Sequence, residues 1–217
     1  MGRDKFFDFL AEHGLQRKRK SKRAHTTNSY HFYARYPNLV QDVTCTGPNQ
    51  LWVSDITYVY CQKEQQFMYL FLLTDAYSRK ILGYTISANL QASGALHALK
   101  IALKNASTPI EGLIHHSDRG IQYCCEAYTS LLKRKKVRIS MTQDSNPLDN
   151  ALAERVNLTI KSEFMEHYKE GYESKKQALT ELPRAIAFYN DQRPHRSLNY
   201  LSPTQAHTKK GELKKMW

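Results

Sequence analysis

The sequence predicts an α/β protein with five strands, and three observations carry that reading. Three runs rich in β-branched and aromatic residues, LWVSDITYVY from Leu51, FMYLFLLT from Phe67 and KILGYTI from Lys80, are separated only by short turn segments, the pattern of an antiparallel meander. A helical stretch from Asn89 to Asn105 then crosses over to a short apolar run, Gly112-Leu113-Ile114. A second helical stretch, Gln122 to Lys136, leads into a fifth strand at VRISM.

Ahead of the strands, the first 50 or so residues read as an appendage. Phe6, Phe7, Phe9 and Leu10 fall at helical spacing and Gly14 can end that helix, but so short a piece buries little surface by itself. Arg17, Lys18, Arg19, Lys20, Lys22 and Arg23 put six cations into seven positions. Such a run repels itself, cannot pack, and suits the release of counterions from a polyphosphate. Tyr30, Phe32, Tyr33 and Tyr36 follow; they fit either stacking on bases or a segment strapped onto the core.

The first strand places Val53, Asp55, Thr57 and Val59 on one face. An acid flanked by apolar residues on both sides needs its charge compensated. Lys63 to Gln66 reads as a hairpin connection into FMYLFLLT, which is apolar on both faces and therefore central. Asp75 to Arg79 makes the next turn, and Leu96, Leu99 and Leu103 give the following helix its apolar spacing. The run from Gly112 ends in HHSDRGIQY, where turn chemistry interrupts it at Asp118; His116 and Asp118 face the same way. SNPLDNALAERVNLTIKSEF, from Ser145, predicts a helix capped at Ser145 or Asn146 and running through Glu163. On that helix Asn150, Glu154, Asn157 and Lys161 share one arc, beside an apolar arc of Leu152, Ala153, Val156 and Ile160.

Composition bounds the function. The chain has 217 residues, of which 41% are hydrophobic, and 32 Lys and Arg against 20 acids leave a net charge of +12, which favours a polyanionic partner. No run approaches the roughly 18 apolar residues of a membrane span and no signal-peptide pattern opens the chain, so a cytoplasmic location is expected. Cys45, Cys61, Cys124 and Cys125 form no CxxC pair and read as reduced packing residues. Asp55, Asp118 and Glu154 come from two strands and a helix. Three such acids converging would repel unless protonated or bound to divalent cations, and an all-oxygen set points to Mg²⁺ or Mn²⁺. Two such ions suit phosphoryl transfer.

WVSDITYV, HHSDRGIQY and DNALAERVNLTIKSE, in that order, with 35 residues between Asp118 and Glu154, resemble the three signatures of the DDE transposase and retroviral-type integrase core. The likeness is strongest to bacterial copy-out, paste-in insertion-sequence transposases, whose C-terminal motif is matched by FYNDQRPHRSLNYLSP at residues 188–203, and it covers about residues 30–207. The resemblance implies an RNase H-like fold: a five-stranded mixed sheet, three strands antiparallel and two parallel, flanked by helices. It implies metal-dependent cleavage and joining of DNA at transposon ends and target, by a homo-oligomer on double-stranded DNA. It places the metal-binding and catalytic acids at Asp55, Asp118 and Glu154 and a DNA-end contact at Lys161; Asn150 would either contact DNA or order the Glu154 loop, and Arg193, in the C-terminal motif, would either contact DNA or pack. His116 and Thr57 would support the acids.

Residues 1–45 are then expected to be the remnant of a helix-turn-helix region plus a basic arm, 46–207 the catalytic core, and 208–217 a basic tail. Only MGRDKFFDFLAEHGL resembles the end of the helix-turn-helix units that such proteins carry, so an upstream helix-turn-helix protein is a possible partner. The alternative function is a non-catalytic DNA-binding product that regulates a full-length transposase.

Overall fold

The computed structural model describes residues 2–14, 32–41, 43–106, 110–143, 150–165 and 171–211. Helix α1 (Arg3–Glu12) precedes strands β1 (Leu51–Cys61), β2 (Gln66–Asp75) and β3 (Ile81–Ser87), then helix α2 (Ala92–Asn105) and strand β4 (Ile114–Ser117). Helices α3 (Ile121–Cys124) and α4 (Glu126–Arg134), strand β5 (Arg138–Met141) and helix α5 (Ala151–Thr159) follow. After α5 come a π-helical turn (Ile160–Phe164), α6 (Lys175–Asp191), a 3₁₀ turn (Arg196–Leu198) and α7 (Pro203–Ala206).

The strands form one sheet in the order β3-β2-β1-β4-β5. The meander is antiparallel, and β4 and β5 join it in parallel, so the expected mixed sheet is present. β2 is buried on both faces, but β1 occupies the centre and β2 lies beside it. Two helical layers cover the sheet. On one face Trp52, Phe71, Leu73 and Leu82 pack against Leu99 of α2 and Tyr128 and Leu132 of α4. On the other Val59, Leu70, Leu72 and Ile81 pack against Val156 and Ile160 and against Leu182, Ile186 and Tyr189 of α6. Residues of opposite parity along β1 thus feed opposite cores, as the pleat requires.

Three details differ from expectation. The predicted helix over Gln122–Lys136 is broken at Cys125, whose extended backbone (φ −62°, ψ 150°) ends α3 and caps α4. α2 buries mainly small residues, Gly94, Ala95, Ala98 and Ala102 with Leu99, while Leu96 and Leu103 are only partly buried. The small face lets α2 lie close to the sheet: a Cβ on Gly83 would come within 2.2 Å of the Ala98 carbonyl oxygen. The helix expected to run through Glu163 stays α-helical only to Thr159 and continues as the π turn.

Leu39 N donates to Ser140 Oγ at 2.8 Å, and Met141 N to the Pro37 carbonyl. Residues around Tyr36 to Val40 are therefore strapped over β5, while Phe32 and Tyr33 remain exposed. α1 buries none of its residues and leaves Phe6, Phe7 and Phe9 exposed. The basic arm from Arg17 to Arg23, the proposed helix cap at Ser145 or Asn146, and the end of the basic tail lie outside the described residues. All four cysteines are free thiols.

Candidate active site

The β1–β4 register sets two acids side by side. Leu51 pairs with Ile114, Trp52 with His115 and Val53 with His116. The same offset puts Asp55 level with Asp118, one residue past the end of β4. Both belong to the face covered by α5, because Val53 on β1 and Ile114 on β4 pack with Ala153 of that helix. Asp55 is half-buried and accepts hydrogen bonds from its neighbour Ile56 N at 2.8 Å and from Asn157 Nδ2 at 2.6 Å. Asp118 Oδ1 accepts from Gly120 N at 3.0 Å, which closes the turn after β4.

Burial pushes the Asp55 carboxyl up to about 7, with the charge of Asp118 the next cause and that of Glu154 a smaller one; the two donors oppose the rise. Glu154 is exposed on α5, with its carboxyl held above the ordinary value by partial desolvation. Among the described residues, no three His, Cys, Asp or Glu side chains converge closely enough to hold an ion as they stand. The pair on the sheet and the third acid on the helix are brought into one neighbourhood, but not into one coordination sphere.

Two asparagines fasten α5 to the acid-bearing strand. Asn150, four residues before Glu154, donates from Nδ2 to the Ser54 carbonyl at 3.1 Å, and Asn157, three residues after it, reaches Asp55. Asn150 is buried at 6% exposure, so the structure places it inside the helix–strand contact and away from the surface expected for a DNA-binding residue. The sequence does not mark Asn157 as a site residue. The signal was present, since it shares the helix arc of Glu154, but nothing in the sequence says that this arc faces Asp55.

His116 is fully buried and its Nδ1 is 2.8 Å from Ser140 Oγ, which braces β4 against β5. Its neighbour His115 points into the opposite core, between Ser54 Oγ at 2.9 Å and Tyr128 OH at 2.8 Å, and burial pulls it down to about 3. Thr57 is buried one pleat beyond Asp55 on the same face. Lys161 lies in the π turn, half-buried, seven residues after Glu154.

Arg193 is not presented to a partner. Its Nε and Nη2 grip the Glu163 carboxylate and its Nη1 bonds the Pro194 carbonyl, so the expectation of a DNA contact there meets a guanidinium already committed within the chain. The neighbouring motif residues are likewise structural. Tyr189 OH donates to the Arg79 carbonyl, and the Asn190 side chain both donates to and accepts from the backbone of Ile81.

A mixed sheet of this order, with one carboxylate within β1, a second just past the end of β4 and a third on the covering helix, is the arrangement expected of an integrase-type core. Comparison with known proteins agrees. Two models of the integrase core domain match residues 46–147 and 135–203. The uncharacterized 31 kDa protein of insertion element IS600 from Shigella sonnei is 37% identical over 205 residues, 94% of this chain and 74% of that protein. The InsF transposase of IS3 from Escherichia coli K12 is 33% identical, over 92% of this chain and 68% of the relative. Among solved structures, the magnesium-bound catalytic core of HTLV-2 integrase superposes with a TM-score of 0.57 at 16% identity, over 76% of this chain and 99% of that one. The simian T-cell lymphotropic virus intasome gives 0.64 at 18%, over 84% and 61%. The chain belongs to the integrase-core family of insertion-sequence transposases, enzymes of the polynucleotidyl-transferase type.

Proposed function

We propose that this chain cleaves DNA at the ends of an insertion sequence and joins the freed 3′ ends to target DNA, with Asp55, Asp118 and Glu154 holding the divalent cations. One observation carries the reading most directly: Asp55 sits level with Asp118 and its carboxyl is pushed up to about 7, chiefly by burial and then by that neighbour. An arrangement that raises a carboxyl this way is costly in the free protein and is relieved by a dication. The donor set is all oxygen, which fits Mg²⁺ or Mn²⁺. When bound, two such ions supply activation of the attacking oxygen and stabilisation of the leaving one.

The chain's own residues do the rest. Asp55 and Asp118 fix the position of the scissile phosphate relative to the sheet. Glu154 completes the set by a change of rotamer, for which its exposure on α5 leaves room. Asn157 holds the Asp55 carboxylate at one oxygen, and Lys161 contacts the DNA end from the same side of the helix. The six cations of the arm bind phosphates of any duplex, and residues 1–45, 46–207 and 208–217 divide into appendage, core and tail. No helix among the described residues is long and apolar enough to cross a membrane. The protein works on cytoplasmic DNA as an oligomer.

The test is a strand-transfer assay with labelled end DNA, target DNA and Mg²⁺. Joined products that disappear in Asp118→Asn support the proposal. Binding of end DNA with no cleavage or joining would favour the regulatory DNA-binding product instead.

A further inference from the structure

We infer that Arg193 is a positioning residue for the reaction: through its forked pair with Glu163 it fixes the π turn that carries Lys161, seven residues after Glu154. The inference rests on the reading of Lys161 as the DNA-end contact. α5 is secured at its front by Asn150 and Asn157, but Lys161 lies beyond both, in a π turn of five residues, Ile160–Phe164. A π turn admits one extra residue per hydrogen-bonded loop and is rarely stable alone, so it persists where outside contacts fix it.

Two contacts from the C-terminal motif do so. Arg193 Nε meets Glu163 Oε2 at 2.5 Å and Nη2 meets Oε1, and the guanidinium holds the Glu163 carboxyl below its usual range. Next to them Phe164 packs edge-on against Phe188, ring centroids 5.7 Å apart. The other side of this bracket is anchored to the sheet. Asn190 is bonded twice to Ile81 at the start of β3, Tyr189 OH to Arg79, and His195 stacks edge-on upon Tyr189 at 4.9 Å. A continuous path of packed groups therefore runs from the β3 edge through the end of α6 to the turn that carries Lys161. A planar fork fixes direction as well as distance, which a lysine in its place would not.

The experiment compares Arg193→Ala, Glu163→Gln, the charge swap Arg193→Glu with Glu163→Arg, Lys161→Ala, and Arg193→Ala combined with Lys161→Ala. For each, joining per bound end complex, affinity for end DNA at several salt concentrations, and the melting temperature are measured. Arg193→Ala and Glu163→Gln should each slow joining about tenfold with affinity and salt slope unchanged, a magnitude typical of a displaced positioning group. The swap should recover most of the rate, and Arg193→Ala should add nothing once Lys161 is alanine. Recovery in the swap separates positioning from loss of fold. If Arg193→Ala weakens binding and lowers the salt slope by about one while Glu163→Gln does neither, Arg193 is a phosphate contact and the inference fails. Multiplying effects of Arg193→Ala and Lys161→Ala overturn it too. A slow Lys161→Ala beside a fully active Arg193→Ala sinks the bracket alone, whereas a silent Lys161→Ala beside a slow Arg193→Ala removes the Lys161 reading and the bracket with it.

Discussion

Asp55 and Asp75 are two acids on neighbouring strands, and they are treated in opposite ways. Asp75, at the end of β2, is fully buried and fully supplied: Asn49 N, Ser78 N and Ser78 Oγ each donate to it at 2.7 Å, and His207 Nδ1 stands 3.8 Å away. Asp55 has two donors and faces Asp118 and Glu154. One acid organises a turn and asks for nothing further. The other has burial and the charges of two nearby acids set against its two donors, and its carboxyl is pushed up to about 7. Burial alone does not separate the two acids; the company of further carboxylates does.

The largest expected difference lies in activity. Asp55→Asn, Asp118→Asn and Glu154→Gln should each lower joining by about a thousandfold or more while end-DNA binding persists, read from a joining assay beside a mobility shift. Asp75→Ala should do the reverse. It strands buried donors and should cost about 3 kcal/mol of stability in urea denaturation, with activity per folded molecule retained. A loss of joining in Asp75→Ala without loss of stability would erase the contrast.

The pH dependence sharpens the same contrast. With its folded value raised to about 7, Asp55 binds a proton in the folded protein that it has released in the unfolded chain at intermediate pH. Its contribution therefore favours folding below the unfolded carboxylate value and is lost as pH rises through about 7. His115 and His195, lowered by burial to about 3 and about 4, act oppositely: their contribution is present above the ordinary histidine value and is lost as pH falls through those lowered values. In metal-free buffer, the melting-temperature gain of Asp55→Asn over wild type should grow from about pH 4 to pH 7 by a few degrees. A constant difference over that window would show that Asp55 does not titrate as described.

The smallest effect concerns the arm. Replacing Arg17, Lys18, Arg19, Lys20, Lys22 and Arg23 by neutral residues should weaken binding to every duplex and flatten the salt dependence by several units of slope, without changing joining per bound complex.

Much of this was legible in the sequence, and what was not has a common cause. Strand order and the level placement of Asp55 and Asp118 follow from local patterns: a meander, a crossover and an acid at a strand end. Glu154 was reachable because helical period and spacing are local too. Asn157, Arg193 and Glu163 were not, because their partners lie 102 and 30 residues away in the chain. A polar residue on a helix reads the same whether it faces water, DNA or a buried carboxylate. The break at Cys125 and the π turn after Thr159 were hidden for a related reason. Both interrupt sequences whose own preference is a continuous helix.

Binding of a dication by Asp55 and Asp118 is read most directly from thermal unfolding with and without Mn²⁺, which requires no turnover. Wild type and Asp75→Asn should both be stabilised by the ion, since one site is intact in each, while Asp118→Asn should melt at the same temperature with or without it. Equal stabilisation of wild type and Asp118→Asn by Mn²⁺ would contradict the account.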